Sequence, residues 1–426
     1  MKSFSFVHAA DLHLDSQFRG VSEGMPSEIK GILRDSTFKA FQNIVDFCIE
    51  KNVDALLIAG DIFDSANRSF KAQWEFKKGI NKLASKKIKS FICHGNHDPL
   101  DGWEGRIEFP EEYCFKFGDV PSSYSLFDKN EPDVKIHGYS YPTREIRKNI
   151  IPQFGKLVKG GFNIGLIHAN VDNDPKHDPY APCSSKDLVN TGYDYWALGH
   201  VHTRKIVRDH KPFIVYPGNT QGRHVNEPGP RGIIYVNVDE MGEIDTEFVS
   251  IDIIRFESIE ITCEKIESIN QLESEIKHRF GKTLQNAKKR HVIVELKLIG
   301  STVIDEDLKK PDFELPFKEN INEEFGSQSP FLWCANVKIA TTAMYNRDEL
   351  INRDDFIGEL VRLNDKIRTD DREFESFLQD CNDIYAKGSM KNYLNSIDEM
   401  DKSVLYELIL ESEQHYLPKL LEDELL

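Results

Sequence analysis

Five short polar motifs carry the side chains that could do chemistry in this sequence, and each one directly follows an apolar run. They are rich in Asp, Asn and His, the residue types that bind borderline divalent metals such as manganese, iron or zinc, and not calcium. Seven of these side chains are candidate ligands: Asp11 and His13 in DLH, Asp61 in GDIFD, Asn96 in GNHD, His168 in LIHAN, and His200 and His202 in GHVH. The pattern therefore predicts a metal site built from distant segments of the chain.

Seven ligands are too many for one tetrahedral ion, and they suit a pair of ions. We expect one ion to be bound by Asp11, His13 and His202, the other by Asn96, His168 and His200, and both by a bridging Asp61. In DLH and GHVH, alternate residues of an extended segment would point to the same side. Two ions about 3.5–4 Å apart, with open positions for water and substrate, are used for in-line attack on phosphorus.

Three further side chains in these motifs are candidates for a catalytic role. His97 in GNHD could donate a proton to the leaving oxygen or stabilise charge on the reacting phosphorus, and Asp98 could fix its tautomer. Asp64 in GDIFD could support the site from behind the ligands, or it could be the N-cap of a helix. Any one D-x-H is weak evidence of a metal site. The prediction depends on the ordered set of five motifs.

The elements that must position these motifs are predicted strands, separated by amphipathic segments. Seven apolar runs have strand character: residues 4–8, 55–59, 88–93, 162–168, 195–198, 213–216 and 232–238. Between the first two, apolar residues in 27–52 mostly share one helical face, which predicts a helix packed on the sheet. Alternating strands and helices predict an α/β domain, in which loops at the carboxyl ends of the strands converge on one crevice.

The chain is long enough for two or three domains. We predict the α/β domain over residues 1–250 and a small α+β module, which reads strand, helix, strand, over 251–342. Residues 343–426 are polar with helical periodicity, which predicts an acidic helical tail. Its last stretch could pack on its own domain or dock in the groove of a partner.

Composition excludes several classes of protein. No uncharged apolar run approaches the roughly 20 residues that cross a bilayer, so we expect no membrane span. Asp11 and His13 interrupt the N-terminal apolar run, and the seven cysteines form no C-x-x-C pair, so we expect a cytoplasmic protein. The formal net charge is −17. Binding to nucleic acid would therefore need local basic patches, metal ions or a partner.

The five motifs, in this order, resemble those of the calcineurin-like dinuclear metallophosphoesterases, over residues 1 to about 250. With YPGNTQGRHVNEPGPRG at 216–232, they are most similar to bacterial DNA repair exonucleases of the SbcD and YhaO type. The resemblance implies a two-layered sandwich flanked by helices, which binds two ions, usually Mn²⁺, and hydrolyses phosphodiester bonds in DNA. It further implies that 251–342 is a capping module, that the partner is an ATPase of the SbcC or YhaN type, and that the chain forms a homodimer.

Two residues of QGRH, Arg223 and His224, are candidates for binding the substrate. Arginine makes bidentate contacts with phosphate, although packing of the loop explains both residues equally well. A basic stretch at 277–290 could bind a nucleic-acid backbone, but a solvated helix face is the commoner explanation of such a stretch.

Three functions remain open from the sequence. The first is a metal-dependent DNA nuclease, in which water attacks the phosphodiester and His97 assists at the leaving group. The second keeps the metals and changes the substrate to a nucleotide or another small phosphoester. The third is an adaptor that binds DNA ends or regulates an ATPase with little turnover.

Overall fold

The structure is a computed structural model of the 426-residue chain, and it describes residues 1–18, 24–64, 69–102, 108–127, 134–155, 157, 160–172, 180–387 and 402–424. The chain divides into two compact units. Unit 1 comprises Met1–Ile259, Arg279–Glu295 and Glu319–Asn336, and unit 2 comprises Glu260–His278, Leu296–Lys318 and Val337–Leu426. All the candidate site residues lie in unit 1. The predicted domain boundaries at 250 and 342 stay a prediction.

Two six-stranded sheets form the centre of unit 1. Their strands are β1 (Phe4–Ala9), β2 (Ala55–Ala59), β3 (Lys89–Cys93), β4 (Cys114–Lys116), β5 (Ser122–Ser125), β6 (Val134–Gly138), β7 (Phe162–His168), β8 (Tyr195–Gly199), β9 (Lys205–Arg208), β10 (Phe213–Tyr216), β11 (Gly232–Val238) and β12 (Ile244–Ser250). One sheet has the order β12-β11-β1-β2-β3-β4 and the other β5-β6-β7-β8-β10-β9. In the first sheet the four strands β1 to β4 are parallel to one another. In the second sheet the parallel strands are β6, β7, β8 and β10.

Alternation along the strands makes these sheets a two-layered sandwich. Phe4 and Phe6 of β1 join a core that also contains Ile164 of β7 and Ala197 of β8, from the other sheet. Val7, the residue after Phe6, instead packs in the core beneath the helices. Successive side chains of a strand point to opposite faces, so one strand contributes to both cores. The predicted α/β fold class is confirmed.

Helices cover the outer faces of both sheets. They are α1 (Ser27–Lys51), α2 (Phe70–Ser85) and α3 (Ser185–Asn190). The predicted helix over 27–52 is confirmed as α1, which ends where Asn52 adopts a left-handed backbone with φ of 50°. Ile44, Val45 and Cys48 of α1 are buried, as the apolar stripe predicts. The α3 helix begins with a capping box between Ser184 and Asp187.

All seven predicted strands are present, with ends that differ by at most one residue. Five further strands of these sheets, β4, β5, β6, β9 and β12, escaped prediction. Two of them show why: β5 reads SSYS with mostly exposed residues, and β4 has three residues. Short strands at sheet edges bury few side chains, so they lack the apolar runs by which strands are predicted.

The rest of the chain supplies a third sheet and the remaining helices. The sheet contains β13 (Ile254–Thr262), β14 (His291–Thr302) and β15 (Leu332–Ala343), and the helices are α4 (Ile269–Asn286), α5 (Asp305–Leu308), α6 (Glu314–Gly326), α7 (Arg347–Leu350), α8 (Phe356–Thr369), α9 (Asp371–Lys387) and α10 (Lys402–Glu424). The strand, helix, strand pattern after residue 250 is present as β13, α4 and β14. Within the described residues, no helix is both long enough and apolar enough for a membrane span.

The C-terminal region is helical, as predicted. In unit 2, Leu417 of α10 packs with Leu350, Ile357 and Val361 from α7 and α8. Arg347 forms ion pairs with Asp365 and Glu413 across the same helices. Part of α10 therefore packs on its own unit. Residues 388–401 and 425–426 of the predicted tail lie outside the described residues.

Candidate dinuclear metal site

The candidate ligands meet at the carboxyl ends of strands in unit 1. Asp11 and His13 follow β1, and their backbone N–H groups donate to the carbonyls of Gly60 and Asp61, at 3.1 and 3.0 Å. The extended backbone expected for DLH is wrong, because Asp11 and His13 have φ values of 52° and 42°. Left-handed backbone is costly for residues with a side chain, and here hydrogen bonds to GDIF, after β2, hold it in place. This pairing brings the two motifs together.

The first predicted set of ligands is assembled in the structure. Single ligand atoms of Asp11, His13 and His202 all lie within 4.8 Å of one another. The Nε2 atoms of His13 and His202 are 3.2 Å apart, and Nε2 of His202 is 3.9 Å from Oδ1 of Asp11. Three side chains from two separate motifs thus face one small volume.

A second group lies beside the first and shares Asp11 with it. Ligand atoms of Asp11, Asp61 and His168 are also within 4.8 Å of one another. Nε2 of His168 is 3.0 Å from Oδ1 of Asn96 and 3.4 Å from Oδ2 of Asp61, while its Nδ1 lies 2.9 Å from the carbonyl of Ala59. Because that carbonyl can only accept, Nδ1 carries the proton and Nε2 presents its lone pair to the site.

Asp61 lies close to a histidine of each ligand group. Its Oδ2 is 3.4 Å from Nε2 of His168 and 3.8 Å from Nε2 of His13. It therefore faces both groups, and its proposed bridging role remains a prediction.

Both the backbone and the ring of His200 contact residues of the site. Its N–H donates to both carboxylate oxygens of Asp11, at 3.2 and 3.1 Å, and its ring lies 5.2 Å from that of His168. Of the His and Asp groups found among the described residues, none includes the ring of His200. Its assignment as a ligand stays a prediction.

Close approach of the backbone explains two glycines of the motifs. A Cβ on Gly95 would lie 2.3 Å from Oδ1 of Asp61 and 2.9 Å from Cδ2 of His168. A Cβ on Gly199 would lie 1.8 Å from the carbonyl oxygen of Ala59. Both positions require glycine because ligand side chains or backbone fill the space.

The electrostatics of the site suit cations. Burial and the nearby charge of Asp61 raise the pKa of Asp11 well above its usual range, and burial raises the pKa of Asp61 to about 7. Burial lowers the pKa of His13 and brings that of His168 to about 4. Neutral imidazoles are the metal-binding form, and two buried carboxylates side by side are costly without a cation. The donor set therefore fits a pair of divalent ions.

His97 lies next to the ligands, and its predicted partner needs correction. Asp98 accepts hydrogen bonds from the backbone N–H groups of Ile62 and Gly95, at 2.9 and 2.8 Å, so it stabilises the GDIF and GNHD turns. The carboxylate beside His97 is that of Asp64, whose Oδ1 is 3.4 Å from Nδ1 of His97. The structure therefore assigns Asp98 to these turns, and the carboxylate in contact with the His97 ring is that of Asp64 and not that of Asp98.

Asp64 is likewise not the N-cap of α2, since Ser69 caps that helix and accepts from the N–H of Ala72. Burial acts to lower the pKa of His97. The hydrogen bond to Asp64 and the charges of Asp61 and Asp64 outweigh it, so the pKa of His97 is raised.

Arg223 lies close to the pair formed by His97 and Asp64, whereas the hydrogen bond seen for His224 is local to its own loop. Nη1 of Arg223 donates to Oγ of Ser16 at 3.0 Å and is 3.6 Å from Oδ2 of Asp64. His224 is exposed, and its Nδ1 accepts from the N–H of Asn226. The substrate-binding roles of both residues stay predictions.

Two side chains of the site carried no signal in the sequence. Oγ of Ser16 donates to Oδ2 of Asp64 at 3.0 Å, so it supports both Asp64 and Arg223. The carboxylate of Glu227 lies 2.7 Å from Nδ1 of His202. Glu227 is 25 residues beyond His202, in a loop with no periodicity. Only its place in the 216–232 segment, which carries the family resemblance, could have drawn attention to it.

Comparisons with known proteins agree with this geometry. Residues 4–204 match the calcineurin-like phosphoesterase family, and residues 256–342 match the middle domain of metallophosphoesterase YhaO. The uncharacterized metallophosphoesterase YhaO of Bacillus subtilis (strain 168) is 35% identical over 361 residues, which cover 84% of this chain and 86% of that protein. The chain belongs to the calcineurin-like metallophosphoesterases. Members of this hydrolase family bind two divalent metals.

More distant relatives of this metallophosphoesterase bear the name DNA double-strand break repair protein Mre11. That of Aeropyrum pernix is 25% identical over 239 residues, which cover 52% of this chain and 56% of that protein. That of Thermoplasma acidophilum is 24% identical over 229 residues, which cover 51% of this chain and 60% of that protein.

Proposed function

We propose that this metallophosphoesterase is a DNA nuclease. Its site combines the seven proposed ligands Asp11, His13, Asp61, Asn96, His168, His200 and His202 with His97 and Arg223 at one side. The observation that carries the proposal is the meeting of two ligand groups at Asp11, a geometry suited to phosphodiester hydrolysis. The names of the Mre11 relatives support DNA as the substrate.

Two bound divalent ions, which we propose to be Mn²⁺, would supply an activated water and would neutralise the charge of the phosphodiester. We propose that Asp11, His13 and His202 would hold one ion and that Asn96, His168 and His200 would hold the other. Asp61 would be a ligand of both. The mixed carboxylate, amide and imidazole donors support a borderline metal.

His97 is the proposed acid at the leaving oxygen. Its backbone N–H donates to Oδ1 of Asp61 at 2.9 Å, which ties the residue to the ligands. With Nδ1 directed at the carboxylate of Asp64, Nε2 is the nitrogen left to meet the substrate. Asp64 is thereby the proposed orienting group, in the role that the sequence had assigned to Asp98.

Arg223 is the proposed phosphate-binding residue. Ser16 and Asp64 hold one end of its guanidinium, and its Nε is buried with no hydrogen-bond partner among the described residues. A guanidinium held in place beside the ligands can bind a phosphate with little further ordering. His224 lies next to it on the exposed side and is a second, weaker candidate.

Contact with DNA beyond the cut bond has to overcome the net charge of −17. Arg290, in the basic stretch at 277–290, is directed at Asp252 and the carbonyl of Ser250, at 2.7 and 2.6 Å, so it contributes little to such contact. We therefore extend the proposal to an ATPase partner of the SbcC or YhaN type, which would supply further contact with DNA. We also propose that the chain forms a homodimer and that it is located in the cytoplasm. Exposed Phe356 and Leu363 on α8 support docking of a partner on the helical tail.

The test is hydrolysis by purified protein in Mn²⁺, with linear DNA and bis-p-nitrophenyl phosphate as parallel substrates. We expect the wild type to degrade DNA, and Asp61→Asn to lose that activity because its amide cannot bridge two ions as a carboxylate does. Turnover of the small phosphodiester with no cutting of DNA would replace the proposal by the small-substrate function. Turnover of neither substrate, with or without the ATPase, would refute both and leave the adaptor.

A further inference from the structure

The segment at 217–231 surrounds one of the proposed metal ligands, His202. None of the five metal-site motifs lies in this segment, although the resemblance to the SbcD and YhaO type rests partly on its sequence. Its Glu227 has a side chain that is 16% exposed, and Oε1 of Glu227 lies 2.7 Å from Nδ1 of His202. The contact is short enough for a charge-assisted hydrogen bond.

This contact determines which nitrogen of His202 carries the proton. The carboxylate of Glu227 can only accept, so Nδ1 of His202 is the donor and Nε2 carries the lone pair. Nε2 is also the nitrogen that lies 3.2 Å from Nε2 of His13 and 3.9 Å from Oδ1 of Asp11. The lone pair therefore faces the other candidate ligands.

The carboxylate of Glu227 is itself held by two donors. Its Oε2 accepts from Nδ2 of Asn219 at 2.9 Å and from the backbone N–H of Arg223 at 2.8 Å. The amide of Asn219 cannot turn round freely, because its Oδ1 accepts from Nη1 of Arg231 at 3.1 Å. Both donors thus require an oxygen at this position of residue 227.

The same segment holds the backbone of His202. Its carbonyl accepts from Nη1 of Arg231 at 2.6 Å and from the N–H of Asn219 at 3.0 Å. Arg231 is buried and also donates to the carbonyl of Pro228 at 2.9 Å. His202 is therefore fixed at both its ring and its main chain by residues 219–231.

We propose that Glu227 is a positioning residue of the metal centre, which holds His202 in the tautomer whose Nε2 lone pair binds the metal. A carboxylate behind a ligating imidazole fixes the orientation of the ring and raises its basicity. The inference rests on the proposed function only in taking His202 as a metal ligand. It requires neither DNA nor turnover.

The structure predicts an unusual ranking of substitutions at Glu227. In Glu227→Gln, Asn219 and Arg223 both require the amide oxygen, so the amide NH₂ faces Nδ1 of His202. Nδ1 must then accept, and the proton moves to Nε2, where it blocks the lone pair that binds the metal. Glu227→Ala removes the carboxylate without imposing the wrong tautomer. The isosteric glutamine therefore weakens metal binding more than alanine does.

The experiment is a calorimetric titration of the metal-free full-length chain with Mn²⁺ for the wild type, Glu227→Gln and Glu227→Ala. Glu243→Gln is the matched control, because it removes the same charge from an exposed residue in the turn between β11 and β12. We expect at least about a 10-fold weaker affinity for one ion in Glu227→Gln, a smaller loss in Glu227→Ala and no change in the control. Circular dichroism and thermal unfolding of each metal-free variant establish that it is folded.

Two results would overturn the inference. One is wild-type Mn²⁺ affinity in Glu227→Gln, and the other is an alanine variant that binds Mn²⁺ as weakly as the glutamine variant or more weakly. The second result would mean that Glu227 only packs the loop, since glutamine preserves its shape better. The binding data also separate the two proposals. A chain that cuts no DNA yet shows the predicted ranking would refute the nuclease and retain the positioning role.

Discussion

Replacing Gly95 by alanine should disable metal binding, although it leaves every proposed ligand in the sequence unchanged. The new Cβ would lie 2.3 Å from Oδ1 of Asp61 and 2.9 Å from Cδ2 of His168, both of them proposed ligands. Gly95 does not have a positive φ, so alanine is compatible with its backbone. The perturbation is therefore steric and is directed at Asp61 and His168, two members of the second ligand group.

The size of the effect follows from that overlap. Ordinary contact of a Cβ begins at 3.4 Å, so Oδ1 of Asp61 has to move from 2.3 Å by about 1.1 Å. Metal–ligand distances tolerate only about ±0.2 Å. We therefore expect Mn²⁺ affinity to fall by at least about 10- to 100-fold, the range observed when the support of a ligand is lost. Overpacking should also cost about 1–3 kcal/mol of unfolding free energy.

Two matched glycines separate these effects in Mn²⁺ titrations and urea unfolding. A Cβ on Gly138 would lie 2.3 Å from the buried ring of Phe117, so Gly138→Ala should lose stability and keep its Mn²⁺ affinity. Gly118 is exposed with no atom within 4 Å of a Cβ, so Gly118→Ala should change neither quantity. Wild-type Mn²⁺ affinity in a folded Gly95→Ala, or an equal loss of affinity in Gly138→Ala, would show that the overlap at Gly95 does not control metal binding.

Two further predictions concern histidines. His97→Ala should reduce turnover by about 100- to 10,000-fold with Mn²⁺ affinity unchanged, because His97 acts on the substrate; a matching loss of an ion in the titration would make it a ligand instead. Burial lowers the pKa of His8 to about 3, whereas an unfolded histidine has a pKa near 6.5. Below about pH 6.5 the unfolded chain therefore binds a proton that the folded chain does not, and the free energy of unfolding decreases as the pH is lowered. Between pH 7.5 and 5.0 this histidine should cost the wild type about 2 kcal/mol of unfolding free energy. Metal-free His8→Gln should lose that much less in urea unfolding at the two pH values, and equal losses would contradict the assignment.

The parts of the site that could be predicted from sequence are those that follow a readable strand. The buried runs before Asp11, Asp61 and His168 have clear strand character, and parallel strands bring their carboxyl ends together. The left-handed backbone of Asp11 could not be predicted, because it arises from hydrogen bonds to a segment about fifty residues away. The spacing of residues within one segment does not indicate hydrogen bonds to a distant segment.

The supporting residues show the same limit. Asp98 is adjacent in sequence to His97, yet the turns bind its carboxylate and Asp64 faces the imidazole instead. Glu227 contacts His202 from a loop with neither periodicity nor a fixed spacing to the ligand motifs. Contacts of this kind depend on the tertiary arrangement of loops, which the spacing of residues in one sequence does not specify.

The proposed chemistry requires this site to hold two divalent ions. The most direct measurement is the number of Mn²⁺ ions bound per chain at saturation, by equilibrium dialysis of the wild type and Asp61→Asn. We predict two ions in the wild type and fewer than two in the variant, because Asp61 faces both His13 and His168. One ion or none in the wild type, or two ions held equally tightly by Asp61→Asn, would contradict it.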